Sequence, residues 1–268
     1  MIDPQLFGFI RLSSPAAGVV LATLHRPEKL NAIDDAGHGE IVALLDAAEL
    51  DDEVKVVVFT GAGRAFCAGG DITAKPDGTD GDRAEHVHRL FERNVRTVNR
   101  LVAFPKPIIA AVNGVAVGAG LRLAVMADIS IVADDARLID GHLQLGVTAG
   151  DHAALMWPML CGLAKAKYLL MTTAPLDGAE AARMGLISLA LPRHEVLDRA
   201  IEIAVGMTAA SQYALRGTKR ALNHWLRGAL PAFEHSASLE AMNFLLADSE
   251  RAMSAMLTRS RNATADDV

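Results

Sequence analysis

The chain has 268 residues, 51% of them hydrophobic but only 4% aromatic, and carries a net charge of −6. That length favours one large core built from Ala, Val, Leu and Met over two full domains. The acidic balance excludes the basic footprint of a nucleic-acid binder, and two cysteines make no disulfide framework.

Leu6–Leu12 and Val19–His25 read as two strands of a hairpin, with turn residues Ser13–Gly18 between them. Asp34 is placed to cap a helix running to Leu50, with Ile41, Leu44, Leu45 and Ala48 at helical spacing. Val54–Thr60 is a β-branched run of strand length, and Gly61–Thr79 is loop-rich. A helix is predicted over Ala84–Phe104, a buried strand over Ile108–Val112, a glycine turn, a short helix over Leu121–Met126 and a strand over Ile129–Val132. This alternation argues for right-handed parallel crossovers in an α/β fold. From Ala153 the chain reads as helical apart from an edge strand in Leu186–Leu191. Glu195–Met207, Ser211–Arg227 and Pro231–Leu246 are three amphipathic helices whose apolar faces need partners, and Asp266 and Asp267 read as a frayed tail. There is no run of about 18 uncharged apolar residues to span a membrane. The first residues lack the succession of a secretory leader, so a cytoplasmic location is expected.

Three features carry chemistry. Arg64–Asp71 follows a strand and places small residues at 68–70, where a ligand carbonyl can approach backbone N–H groups. Asn113–Gly120 is a second small-residue turn, between a strand and a helix whose N-terminal dipole favours developing negative charge. Together they can supply two donors to one oxyanion. The third is Asp140-Gly141-His142 with Asp151-His152 further on. Imidazole titrates near neutrality and a carboxylate orients it, so His142 with Asp151 or Asp140 suits general base work; Asp151 is also placed to cap the helix near Ala153. These four groups offer oxygen and nitrogen ligands, but no HExxH or paired-cysteine spacing accompanies them, and no metal is expected. Arg122, early in its helix, is expected to reach solvent, to pair with an acid such as Asp140, or to bind a carboxylate or phosphate of a ligand, and its guanidinium cannot act as an acid or base near neutrality.

Lys106–Leu121, Arg64–Asp71, Arg26–Ala32 and Glu180–Ile187 together resemble the enoyl-CoA hydratase/isomerase (crotonase) superfamily. The resemblance implies a spiral of ββα units over residues 1–194, and a helical oligomerisation region over 195–268 that forms a trimer or dimer of trimers. It implies an acyl-CoA substrate with no separate cofactor, and neither nucleic acid nor membrane as partner. The oxyanion donors would be the N–H groups of Gly70 and Ala119, and the coenzyme A contacts Arg26, Lys29, Ala68, Asp71 and Ile72. Hydratases of the superfamily carry glutamates at the positions held here by Arg122 and His142. Hydration of a 2-enoyl-CoA is therefore the nominal reaction, without its usual pair of carboxylates. Asp140–His142, Gly150–Asp151, Trp157-Pro158 and Tyr168–Leu170 also resemble the superfamily's β-diketone hydrolases, although the histidine expected in the Gly118–Gly120 turn is absent. The alternatives are thus a hydrolase of a β-diketone or an acyl thioester using His142 and Asp151, or an acyl-CoA-binding protein without turnover.

Overall fold

A strand, a tight turn and a second short strand recur three times in this chain, each pair leading into a helix. The computed structural model describes residues 2–73 and 82–265. The expected frayed tail at Asp266 and Asp267, and the end of the predicted loop beyond residue 73, lie outside the described residues. The chain opens with β1 (Ile10–Ala16) and β2 (Val19–Leu24), an antiparallel pair with a register shift between Ser13 and Ala16. The hairpin turn is shorter than Ser13–Gly18, because β1 continues to Ala16 and Gly18 alone takes a left-handed φ of 80°. Helix α1 (Asp35–Leu50) begins where expected, with the Asp34 carboxylate accepting from the Gly37 N–H.

The repeats follow: β3 (Val56–Gly61), β4 (Ala65–Cys67) and α2 (Arg83–Ala103); then β5 (Ile108–Val112), β6 (Val115–Val117) and α3 (Ala119–Met126). The third comprises β7 (Ile129–Ala133), β8 (Arg137–Ile139), α4 (Ala153–Cys161) and α5 (Leu163–Thr172). The first strand of each pair joins a six-stranded sheet ordered β1-β2-β3-β5-β7 and closed by β10 (Leu189–Leu191). The second joins a smaller sheet ordered β4-β6-β8 and closed by β9 (Leu176–Asp177), after which α6 (Gly178–Arg183) follows. β3, β5 and β7 pair in parallel, as do β4, β6 and β8, which makes the chain a spiral. Every residue of β3 and β5 is buried, as expected of parallel strands covered on both faces.

The C-terminal helices differ from their predicted form. Residues predicted as two helices make one, α8 (Gln212–Phe244), with Pro231 inside it. A proline removes a single backbone donor, and the buried stripe of Asn223, Phe233 and Ala237 runs past it. Lys219 anchors this helix by donating to the Asp128 carboxylate (2.7 Å) and the Lys106 carbonyl (2.8 Å). Helix α7 (Val196–Ala209) packs on β2, β3, β5 and β7, so its apolar face is part of the core. A further helix, α9 (Ala247–Ala265), packs against the turn Leu143–Leu145. Among the described residues no helix is long and apolar enough to cross a membrane.

Candidate active site

The two glycine turns meet. A Cβ added at Gly69 would lie 3.0 Å from the Val117 carbonyl, and one at Gly120 would lie 2.5 Å from the Cys67 carbonyl. Only residues without side chains allow β4 and the start of α3 to approach this closely. Ile33 donates to the Gly69 carbonyl (2.8 Å) and accepts from the Asp71 N–H (2.9 Å). In such a parallel bridge the intervening residue turns its own N–H to the other side. Gly70 is that residue. Ala119 opens α3, whose first N–H groups have no acceptor within the helix. Among the described residues neither the Gly70 nor the Ala119 N–H donates to a protein acceptor.

Asp71 braces the first turn. Its Oδ2 accepts from Arg26 (3.0 Å) and Lys29 (2.8 Å), and its Oδ1 from the Thr73 hydroxyl (2.6 Å). Burial works to raise its pKa, but the bonds from Lys29 and Thr73 outweigh it and hold the carboxyl well below the usual range. The guanidinium of Arg26 is also bonded to Asp34 (2.8 Å) and the Ala32 carbonyl (3.2 Å). Arg26 is therefore engaged within the protein, since two carboxylates compete for it; half-exposed Lys29 donates to two side chains among the described residues, Asp71 and Thr73. Ala68 donates its N–H to the Leu30 carbonyl (2.9 Å), which leaves its carbonyl and methyl to a ligand, and Ile72 lies half-buried beside Asp71.

The third feature is a buried cluster around His142. Its Nδ1 lies 3.0 Å from both oxygens of Asp140, while its Nε2 lies 3.4 Å from Asp151 Oδ1 and 3.5 Å from Glu240 Oε1. Burial alone would lower the histidine's pKa; Asp151 and Asp140, followed by Glu240, overcome it and push it up to about 10. These carboxylates thus favour the protonated imidazolium form of His142 at neutral pH. Glu240 comes from α8, and a Cβ at Gly150 would lie 2.5 Å from its Oε2, so the glycine makes room for it. That oxygen is buried, with no hydrogen-bond partner among the described residues. Burial, opposed by His142 and seconded by Asp151, raises Glu240 to about 8, the range of a working general base. Sequence reading missed Glu240. Its signal is a carboxylate on the buried stripe with Phe233 and Ala237, seven and three residues before it.

Asp151 does not cap α4, whose N-cap is His152 without a side-chain bond. Its carboxylate instead accepts from His152 Nδ1, while the Trp157 indole donates to His152 Nε2 (3.3 Å). Indole N–H is a donor only, so the His152 proton sits on Nδ1, facing Asp151. Asp140, Asp151 and His152 present ligand atoms within 4.8 Å of one another, as a metal site would. Both His152 nitrogens are already engaged, however, and His142 lies between the carboxylates. The donor set suits a proton network better than a cation.

Arg122 neither reaches solvent nor pairs with Asp140. It is fully buried, donating to Asn94 Oδ1 of α2 (2.8 Å) and to His38 Nδ1 of α1 (3.1 Å). Its nearest carboxylate is Asp151, at 3.9 Å. His38, on the buried stripe of α1 with Ile41 and Leu45, is a second site residue that sequence reading missed.

The paired strands thus wind into a spiral in which the two glycine turns pack together. The chain belongs to the enoyl-CoA hydratase/isomerase family, whose model matches residues 14–259. It is 34% identical to a 1,2-epoxyphenylacetyl-CoA isomerase of Escherichia coli over 79% of this chain and 81% of that protein. It is 32% identical to a short-chain-enoyl-CoA hydratase of Clostridium acetobutylicum over 90% of this chain and 92% of that one. The crystal structure of an enoyl-CoA hydratase/isomerase from Mycobacterium paratuberculosis superposes with a TM-score of 0.84 at 30% identity, covering 92% of this chain and 97% of the other. Pseudomonas aeruginosa OdaA superposes with a TM-score of 0.82, also at 30% identity, over 92% and 98% of the two chains.

Proposed function

We propose that this chain uses water to cleave a carbonyl substrate, a β-diketone or acyl-CoA thioester, holding the carbonyl oxygen on the N–H groups of Gly70 and Ala119. The observation that carries this reading is the buried pair of His142 and Glu240, with Nε2 3.5 Å from Oε1 and Asp140 and Asp151 around the imidazole; those carboxylates push the His142 pKa up, and burial raises that of Glu240. Glu240 takes a proton from water, whose oxygen bonds to the carbonyl carbon and creates an oxyanion in the hole. In a β-diketone the bond to the central carbon then breaks. The electron pair leaves as the enolate of the second carbonyl, and that carbon gains a proton from His142. One water is consumed, and a carboxylic acid and a ketone are formed. For a thioester the sulfur leaves instead and takes the proton.

A second reading, hydration of a 2-enoyl-CoA, is favoured by the same pair, which offers one base for water and one acid for the α-carbon. The chain's similarity to hydratases points the same way. Release of acid and ketone from a cyclic or linear β-diketone, or of free coenzyme A from an acyl-CoA, supports hydrolysis. Loss of enone absorbance from crotonyl-CoA with no release of coenzyme A supports hydration. Binding of acyl-CoA with neither outcome supports an acyl-CoA-binding protein. On the substrate that turns over, His142→Ala and Glu240→Gln should each lower kcat by about a hundredfold or more. Wild-type turnover in both variants would sink the assignment.

A further inference from the structure

The buried cation beside this cluster has no role in the chemistry above. We propose that Arg122 is a positioning residue: clamped by His38 and Asn94, it directs a fixed positive charge at Asp151 and thereby sets the pH at which Glu240 works. This role rests on the proposed assignment of Glu240 as the proton acceptor.

Three observations support it. Both hydrogen bonds of the guanidinium go to uncharged acceptors, the Asn94 amide oxygen and a histidine lone pair, so its charge is not cancelled where it is held. Asp151 Oδ2, at 3.9 Å, faces that charge, while Asp151 Oδ1 faces His142 Nε2. His38 is fixed as an acceptor, because a guanidinium has only donors. Burial, then Arg122 and Arg93, against a weaker pull from Asp151, hold its pKa well below the ordinary value, so it stays uncharged.

The groups that face this network are Asp140, His142, Asp151 and His152 around the start of α4, and Glu240 of α8. Beside Arg122 itself lie His38 of α1, Arg93 and Asn94 of α2, and Cys67 of β4. Arg122 draws the pKa of both Asp151 and Glu240 downwards. Without it, Asp151 and Glu240 compete more strongly for the His142 proton, and Glu240 ionises at higher pH. A lysine restores the charge but not the two-pronged clamp.

The test is a carboxyl 13C NMR titration of the full chain labelled at glutamate, with Glu240 assigned through Glu240→Gln. The wild-type midpoint is expected near 8. Arg122→Gln should raise it by about one unit, the lower end of what an opposite charge nearby does to a carboxyl group. Arg122→Lys should restore most of the shift. His38→Gln, which keeps an acceptor, should match wild type, and His38→Leu should move the midpoint in the same direction as Arg122→Gln, by less. The rising limb of the pH profile of kcat/KM should move by the same amount. An unchanged Glu240 midpoint in folded Arg122→Gln, or in folded His38→Leu if Arg122→Gln does not fold, overturns the role of Arg122 alone. A wild-type Glu240 that titrates in the ordinary carboxylate range overturns the base assignment itself.

Discussion

Replacing Asp140 by asparagine tests how the imidazole of His142 is held. The two Asp140 oxygens lie 3.0 Å from Nδ1. An amide oxygen can still accept that bond, so the substitution removes charge and little else. At this separation and an effective dielectric of about 20, Coulomb's law gives roughly 5 kcal/mol. Asp151 and Glu240 remain on the far side of the ring and recover part of it. We expect His142 to fall from about 10 by roughly two units, or about 2.7 kcal/mol. The imidazole would then titrate at about pH 8 and lose its proton just above neutrality. A proton–carbon NMR titration of the imidazole C–H groups reads this directly and needs no substrate. The descending limb of the kcat/KM profile should move down by the same amount. A His142 midpoint in Asp140→Asn within about 0.3 units of wild type would refute the reasoning, since it would mean that Asp140 does not bear on the ring's charge.

The same shift makes stability depend on pH. His142 binds its proton more tightly folded than unfolded, so its contribution is complete below about pH 6.5 and is lost as pH rises towards 10. Denaturant titrations should show stability falling by on the order of 1 kcal/mol per pH unit in that window, with a shallower slope in His142→Gln. Asp71→Asn removes the carboxylate that ties Arg26 and Lys29 to the Gly70 turn; kcat on the established substrate should drop by about tenfold to a hundredfold, as for a misplaced oxyanion donor, and an unchanged kcat would count against the turn's role. Gly120→Ala forces a methyl to within 2.5 Å of the Cys67 backbone and should cost about 1–3 kcal/mol in chemical denaturation. Self-association is expected, because Met159, Leu163, Tyr168 and Met171 on α4 and α5, and Leu222 and Trp225 on α8, remain exposed. A monomer by light scattering at micromolar concentration would exclude it.

The sequence by itself determined the frame. Strands β3, β5 and β7 announce themselves as β-branched or apolar runs, and glycine turns mark where the backbone must approach itself, because both signals are local. The three-residue strands β4, β6 and β8 were not legible, since so few residues carry no period and their pairing is made across the spiral. Likewise Pro231 looks like a boundary in sequence, but the burial of α8 against α2 and α4 carries the helix through it. In the site, His142, Asp140 and Asp151 could be read from their types and spacing. How they are charged could not, because that depends also on a carboxylate almost a hundred residues away. Glu240 reaches His142 only because α8 passes over Gly150, and Arg122 is held by side chains from α1 and α2. Charge in a buried site is set by every group within a few ångströms, whatever its place in the chain, and only the tertiary structure brings those groups together.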